Sequence, residues 1–271
     1  MNLKLIALDL DGTLTNDQKE ITPRTMEILM KLQKEGVRLA LASARPAPGL
    51  YAVCDLLQMR AYGGILMSYN GGRIVEASTG KTLYETGMDR EETKGILRFL
   101  DTLPVNVILD DGVQFYVKDP KAYKIEYECR NNRMTCSEVA DLAEFLSFSP
   151  VKLLLSVQPE ILSNVQKTIA QQLPPSLIVV RTAPFYLEII PSSINKGKGL
   201  LDICQVLGID RSETAAFGDA ENDIPMIRAA GFGVAMGNAE EAVKAAADYV
   251  TASNNEDGVA LALEKVLADS P

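Results

Sequence analysis

The chain has 271 residues, 47% of them apolar, enough to build a sizeable core in one large domain or two modest ones and too many for a disordered polypeptide. Lys and Arg total 27 against 36 for Asp and Glu, a formal net charge of -9, and no basic block is present to track a nucleic-acid backbone. Nucleic acid is therefore excluded as a partner, and an anionic ligand would need a local cationic site or a metal to overcome the overall field.

The four cysteines, Cys54, Cys129, Cys136 and Cys204, form no CxxC pair, and the absence of histidine removes a mixed zinc site. They read as free thiols in a reducing compartment. The first apolar run meets carboxylates at Asp9, too early for a signal peptide or a membrane span. A cytoplasmic protein is expected; the oligomeric state is not legible.

The chain opens with β-α-β grammar: a buried strand over Lys4 to Leu8, a helix over Thr22 to Glu35 with Thr22 as N-cap and Pro23 in its first position, and a strand over Val37 to Ala42. A helix over Pro46 to Gln58 and a strand over Ile65 to Tyr69 continue the alternation of a parallel sheet covered by helices. Antiparallel signals follow, in Arg73 to Tyr84 and in Val105 to Val117 around the Asp111-Gly112 turn. Helices near Glu91 to Leu100 and Ser137 to Phe145, a strand over Val151 to Val157, a helix over Glu160 to Gln172, and strands over Leu177 to Arg181 and Phe185 to Ile190 complete an α+β insert. From Lys196 the α/β alternation returns: a helix to Leu207, a strand over Thr214 to Phe217, a helix after Asn222, a strand over Gly233 to Ala235, another helix, and a strand over Tyr249 to Thr251. The expected fold is α/β, with a discontinuous core of residues 1-81 and 191-271 and an inserted domain of residues 82-190. Thr79-Gly80 and Pro191-Ser192-Ser193 are the expected hinges.

Asp9 closes a buried strand and Asp11 lies two residues on, so persistent extended geometry would aim both carboxylates at the crevice beyond the strand ends. One can act as a covalent nucleophile in phosphoryl transfer and the other as general acid and base, with crowding favouring a protonated Asp11 beside a metal-held, ionised Asp9. The competing reading is a simple Asp-Gly turn. A second acidic cluster, Gly218-Asp219-Ala220-Glu221-Asn222-Asp223, again follows a short strand; Asp9 and Asp219 on adjacent strand ends would suit magnesium. Helix capping competes for Asp219 and Asp223. Ser43 ends the second strand as a phosphate-binding hydroxyl or an ordinary N-cap. Lys196 opens a helix, where a cation is unfavourable unless it faces phosphate or the Asp9 carboxylate, whose repulsion with Asp11 it would offset; solvent exposure is the alternative.

Asp9-Leu10-Asp11-Gly12-Thr13, the hydroxyl of Ser43-Ala44-Arg45, the lysine of Asn195-Lys196-Gly197 and the pair in Gly218 to Asp223, in this order, resemble the four motifs of the haloacid dehalogenase (HAD) superfamily. The insert between the second and third motifs resembles the Cof-type branch, close to the YidA-like sugar phosphatases, over essentially the whole chain. The resemblance implies a Rossmann-like core with a doubly wound parallel sheet and an α+β cap of the C2B type. It further implies a phosphatase of small phosphorylated metabolites, especially sugar phosphates, working through an aspartyl-phosphate with Mg2+. Asp9 is then nucleophile, Asp11 general acid and base, and Ser43 and Lys196 phosphate ligands. The metal sits on Asp9, Asp219 and the backbone carbonyl of Asp11, with Asn222 and Asp223 in support. Arg45 and Asn70 border the phosphate or substrate, although Asn70-Gly71 is equally a turn signal. The second motif departs from the usual Thr-Gly-Arg in having Ser43 and Ala44, which keeps the hydroxyl. Glu188, Arg130 and Lys152 are candidates for contacting the leaving group.

Gly80-Lys81-Thr82 imitates the end of a Walker A loop, but Val75 stands where the leading glycine belongs; Gly231-Phe232-Gly233 begins a dinucleotide fingerprint whose third glycine position is Met236. The remaining rivals are a phosphomutase using the same Asp9 phosphoenzyme and a non-catalytic phosphate-binding module on the same fold.

Overall fold

The computed structural model describes residues 2-268. Two compact units emerge, one made of the residues up to Tyr84 and from Asn195 onward, the other of Glu85–Ile194. The first begins with strand β1 (Leu5–Leu8), helix α1 (Pro23–Lys34), β2 (Arg38–Ala42), a short α2 (Tyr51–Leu56), β3 (Ile65–Ser68), β4 (Arg73–Glu76) and β5 (Thr82–Glu85). The second contributes α3 (Arg90–Leu100), β6 (Asn106–Asp110), β7 (Phe115–Val117), α4 (Ile125–Asn132), β8 (Cys136–Glu138), α5 (Leu142–Phe145), β9 (Leu153–Ser156), α6 (Pro159–Ala170), β10 (Leu177–Ala183) and β11 (Tyr186–Pro191). The chain then adds α7 (Lys196–Leu207), β12 (Thr214–Gly218), α8 (Ile224–Ala229), β13 (Phe232–Ala235), α9 (Glu241–Lys244), β14 (Tyr249–Val250) and α10 (Gly258–Ala268) to the first unit.

The first sheet runs β14-β13-β12-β1-β2-β3-β4-β5, and every pairing from β14 to β3 is parallel. All four residues of β1 are buried, because alternate side chains enter separate layers. Ile6 and Leu8 join Leu29 and Leu32 of α1 and Leu263 of α10, whereas Leu5 and Ala7 join Leu200 and Ile203 of α7. Thr22 caps α1 by accepting from the Thr25 N–H, with Pro23 inside the first turn where no N–H is needed.

The second unit has its own sheet, β10-β11-β9-β6-β7-β8, antiparallel except for β7 with β8. Leu153, Leu155 and Leu187 pack with Leu97 of α3 and Leu162 of α6, while Leu154 and Tyr186 join Ile125 of α4 in a separate cluster. Each unit therefore owns a core, as an independent layer architecture requires.

Several expectations need correction. The stretch Pro46 to Gln58 is not one helix: it forms a 3-10 turn over Ala47–Leu50 followed by the six residues of α2, and Gln58 ends it at a φ of 52°. Residues Ser137 to Phe145 begin instead as a strand, since Cys136 to Glu138 find ladder partners in β7, and only the four residues of α5, capped by Asp141, are helical. Helix α4 is not anticipated because its buried stripe is Ile125, Glu128 and Asn132, mostly polar and without hydrophobic period. Helix α10 lies beyond the last element read from the sequence. Residues 82-84 belong to the first sheet and 191-194 to the second unit, so the expected insert bounds of 82 and 190 shift to 85 and 194. The Thr79-Gly80 turn lies inside the first unit. The four cysteines are free thiols, and no helix among the described residues is long and apolar enough to cross a membrane.

Phe217 is fully buried on β12, beside β1. Phe217→Ala is expected to lower the unfolding free energy by about 3–5 kcal/mol, read from urea unfolding followed by circular dichroism.

Candidate active site

Register brings the acidic motifs to one edge. Leu8 lies opposite Phe217 on one side and Leu41 on the other, so Asp9, Gly218-Asp219 and Ala42-Ser43 leave the same carboxyl edge of three parallel strands. The Asp9 N–H donates to the Phe217 carbonyl at 3.1 Å, extending the ladder one step past β1.

Lys196 is the first residue of α7, behind Asn195, whose side chain accepts from the Lys198 N–H at 2.9 Å. Its side chain is fully buried, and Nζ donates to Asp9 Oδ1 and to Asp223 Oδ1, each at 2.6 Å. Two carboxylates thus compensate a cation that opposes the helix dipole. The expected Asp9 contact of Lys196 is present, and Asp223 is a second partner that the sequence did not announce. Asp223 Oδ2 meanwhile accepts from the N–H groups of Asp219 and Ala220, each at 3.0 Å. A Cβ on Gly218 would overlap the Asp223 side chain, so this loop requires glycine there.

Asp219 Oδ1 accepts from the buried Thr13 hydroxyl at 2.7 Å. Gly12, at a φ of 86°, lies so close that any Cβ would overlap the Asp219 carboxylate. Asn238 donates to the Gly12 carbonyl at 2.8 Å and accepts from the Asn254 N–H at 3.0 Å, fixing the first motif to the loops after β13 and β14. Neither Thr13 nor Asn238 is among the site residues expected from the sequence. Thr13 stands inside the first motif and Asn238 just beyond a strand end at the same sheet edge, which is the available signal for each.

One lysine faces three carboxylates. Burial, with repulsion from Asp223 and Asp219, raises the Asp9 carboxyl to about 7 despite Lys196. Burial also raises Asp219, with Asp223 adding to it against the Thr13 hydrogen bond. Burial alone would depress Lys196, but Asp9 and Asp223 outweigh it and keep the ammonium charged well above the ordinary lysine range. Asp9, Asp219 and Asp223 each offer a carboxylate oxygen within 4.8 Å of the others. Asp223 spends both oxygens on Lys196 and the loop, while Asp9 and Asp219 each keep Oδ2 free of hydrogen bonds among the described residues. An all-oxygen set with excess negative charge fits a hard divalent cation.

Asp11 is elsewhere engaged. Its Oδ1 accepts from Lys19 Nζ at 2.7 Å and its Oδ2 from Arg45 Nη2 at 2.6 Å, and the carboxyl is partly exposed. Burial works against ionisation, but the Lys19 hydrogen bond and the Arg45 charge overcome it and hold Asp11 below the usual carboxylate range. Of the two carboxyls, the buried Asp9 is the one whose ionisation is resisted.

Ser43 is buried and caps no helix; its Oγ accepts from the Arg45 N–H at 3.2 Å in a local turn, and the 3-10 turn starts only at Ala47. Its carbonyl accepts from the Asn70 N–H at 2.8 Å. Tyr69 and Asn70 both hold positive φ, 53° and 56°, a conformation costly for an aromatic residue and sustained by these loop anchors. Asn222 Nδ2 donates to Asn70 Oδ1 at 3.1 Å, so these two predicted residues meet. In the second unit, Lys152 and Glu188 form a buried pair at 2.6 Å, and Arg130 is exposed.

The chain matches the family model of haloacid dehalogenase-like hydrolases over residues 6–263. The chain belongs to this family. It is 32% identical to the 5-amino-6-(5-phospho-D-ribitylamino)uracil phosphatase YbjI of Escherichia coli strain K12, across 98% of this chain and 97% of the relative. A haloacid dehalogenase-like hydrolase from Bacteroides thetaiotaomicron superimposes with a TM-score of 0.91 at 37% identity, covering 97% of this chain and 99% of that one. The HAD subclass IIB sugar phosphatase BT4131 gives a TM-score of 0.77 at 27% identity, covering 97% and 98%. This HAD-family hydrolase is accordingly a phosphatase.

Removing the ammonium tests the charge arrangement. Lys196→Met leaves Asp9 and Asp223 buried without their cation and is expected to cost about 3–5 kcal/mol in urea unfolding at neutral pH.

Proposed function

We infer that this HAD phosphatase is magnesium-dependent and hydrolyses small phosphorylated metabolites, sugar phosphates foremost, with Asp9 as the nucleophile. The observation that carries this reading is the buried Lys196 ammonium shared by Asp9 and Asp223 at a strand edge where Asp219 also lies. The substrate class is supported by the relatives: one is named for a ribityl phosphate and one is a sugar phosphatase, and each name describes a phosphate carried on a polyhydroxylated chain.

In the first half-reaction the Asp9 carboxylate attacks phosphorus in line, an aspartyl-phosphate forms, and the bond to the leaving oxygen breaks while Asp11 gives that oxygen its proton. Water then attacks the aspartyl-phosphate as Asp11 takes its proton, and inorganic phosphate leaves with Asp9 restored. Lys196 orients the Asp9 carboxylate and balances phosphoryl charge. Asp9, Asp219 and the Asp11 carbonyl would hold Mg2+, which when bound supplies further charge neutralisation. Asp11 must leave Lys19 and Arg45 to exchange protons; both pairs are exposed enough for that rearrangement to cost little. Ser43, Arg45, Asn70 and Asn222 line the phosphate and substrate side.

Asp9→Asn keeps the side chain's shape and is expected to lower the kcat for p-nitrophenyl phosphate by roughly 10³-fold or more with an unchanged circular dichroism spectrum. Normal turnover by this variant would refute the nucleophile. Treatment with EDTA should abolish hydrolysis and magnesium should restore it. In a panel of sugar phosphates, nucleotides and cofactor phosphates, free phosphate without isomerised ester is expected; isomer formation would favour a phosphomutase.

A further inference from the structure

Helix α4 of the second unit is entered through Lys124, whose backbone adopts a φ of 63° and whose side chain makes no capping bond to the first turn. The ammonium points into rings: Nζ lies 4.2 Å from the centre of Phe185, 5.0 Å from that of Tyr127 and 5.8 Å from that of Tyr123. Tyr123 and Tyr127 both stand edge-on to Phe185, at 84° and 86°, so the three rings form walls around the charge. Lys124 has no carboxylate partner among the described residues. Its half-buried ammonium lies over ring faces instead.

Beside this cage opens a cleft of about 670 Å³, lined by Lys121, Tyr123, Lys124, Glu126, Tyr127 and Arg130 among others. That volume suits a small organic ligand. In a chain of net charge -9 the cleft carries three cations, and its acid, Glu126, lies 3.8 Å from Arg130. Tyr127 is 44% exposed, leaving a ring surface open to solvent. An ammonium without a carboxylate, an exposed aromatic face beside it and a helix start without a side-chain cap call for different parts of one ligand: a negative group and a flat ring.

We propose that this cleft binds a planar aromatic anion whose charged group pairs with Lys124 and whose ring stacks on Tyr127. The site lies wholly within the second unit and goes beyond the phosphatase reading, since it uses none of the residues assigned to phosphoryl transfer.

Calorimetric titration of the full chain with 2-naphthoate, 2-naphthamide and cyclohexanecarboxylate separates charge from ring. Magnesium and saturating inorganic phosphate are present throughout to occupy the Asp9 site. Saturable binding of 2-naphthoate is expected, about tenfold tighter than either control and weakened about tenfold by Lys124→Met or Tyr127→Leu. Thermal melts report whether the variants are folded. Should either be unfolded, the tyrosine ring resonances of the wild-type protein, with Tyr127→Phe as the assignment, locate the ligand instead. A shift of the Tyr127 resonance supports the site. Absence of saturable binding at millimolar 2-naphthoate, equal affinity for all three probes, undiminished binding to folded Lys124→Met, or an unmoved Tyr127 resonance overturns it.

Discussion

The first unit is organised around one buried ammonium. Lys196 has no solvent exposure, so its ammonium is met inside the protein by Asp9 and Asp223. The requirement fixes backbone as well as side chains: α7 has to begin at Lys196, β1 has to end before Asp9, and the loop after β12 has to curl tightly enough for Asp223 to bind its own N–H groups. Gly218 permits that curl. The unit boundary at Asn195 falls one residue before Lys196, so the chain leaves the insert directly into the charged centre.

Negative charge remains after this pairing. Burial first, then repulsion from Asp223 and Asp219, raises the Asp9 carboxyl to about 7 despite Lys196. Asp223 meets its share through Lys196 and backbone amides. Asp9 and Asp219 retain oxygens for something else, and Thr13 holds Asp219 while Asn238 holds the turn through Gly12. A hard cation would answer that electrostatic demand.

Much of this was legible in the sequence because parallel strands are read by alternation and their ends by abrupt polarity. Asp9, Ser43 and Asp219 each follow a short apolar run, and the observed register aligns those runs. Partners were less legible. The extended geometry assumed between Asp9 and Asp11 ends with β1 at Leu8, after which the chain turns at Gly12, so an i, i+2 rule no longer states where Asp11 points. Its partner Lys19 sits at a φ of 64° in a loop, a conformation that no local motif announces. In the insert, α4 escaped because Glu128 and Asn132 bond to each other inside the protein, so a buried face was written in polar letters. The Ser137 segment became strand because a ladder partner in β7 outweighed local preference.

Two carboxyl groups two residues apart have opposite electrostatic fates. Burial and neighbouring acids push Asp9 upward, while Lys19 and Arg45 draw Asp11 downward. An acid and a base in one site are distinguished by such divergent environments. Here the more easily ionised of the two is Asp11, which Lys19 and Arg45 hold. The loop carrying Lys19 is held by Asn254, which donates to the Thr15 carbonyl at 3.0 Å, and by Asn255, which donates to Asp17 at 3.0 Å. Asp11 is thus held by two exposed ion pairs that share no residue with the Lys196 centre. The buried pair holds Asp9, and the exposed pairs hold Asp11.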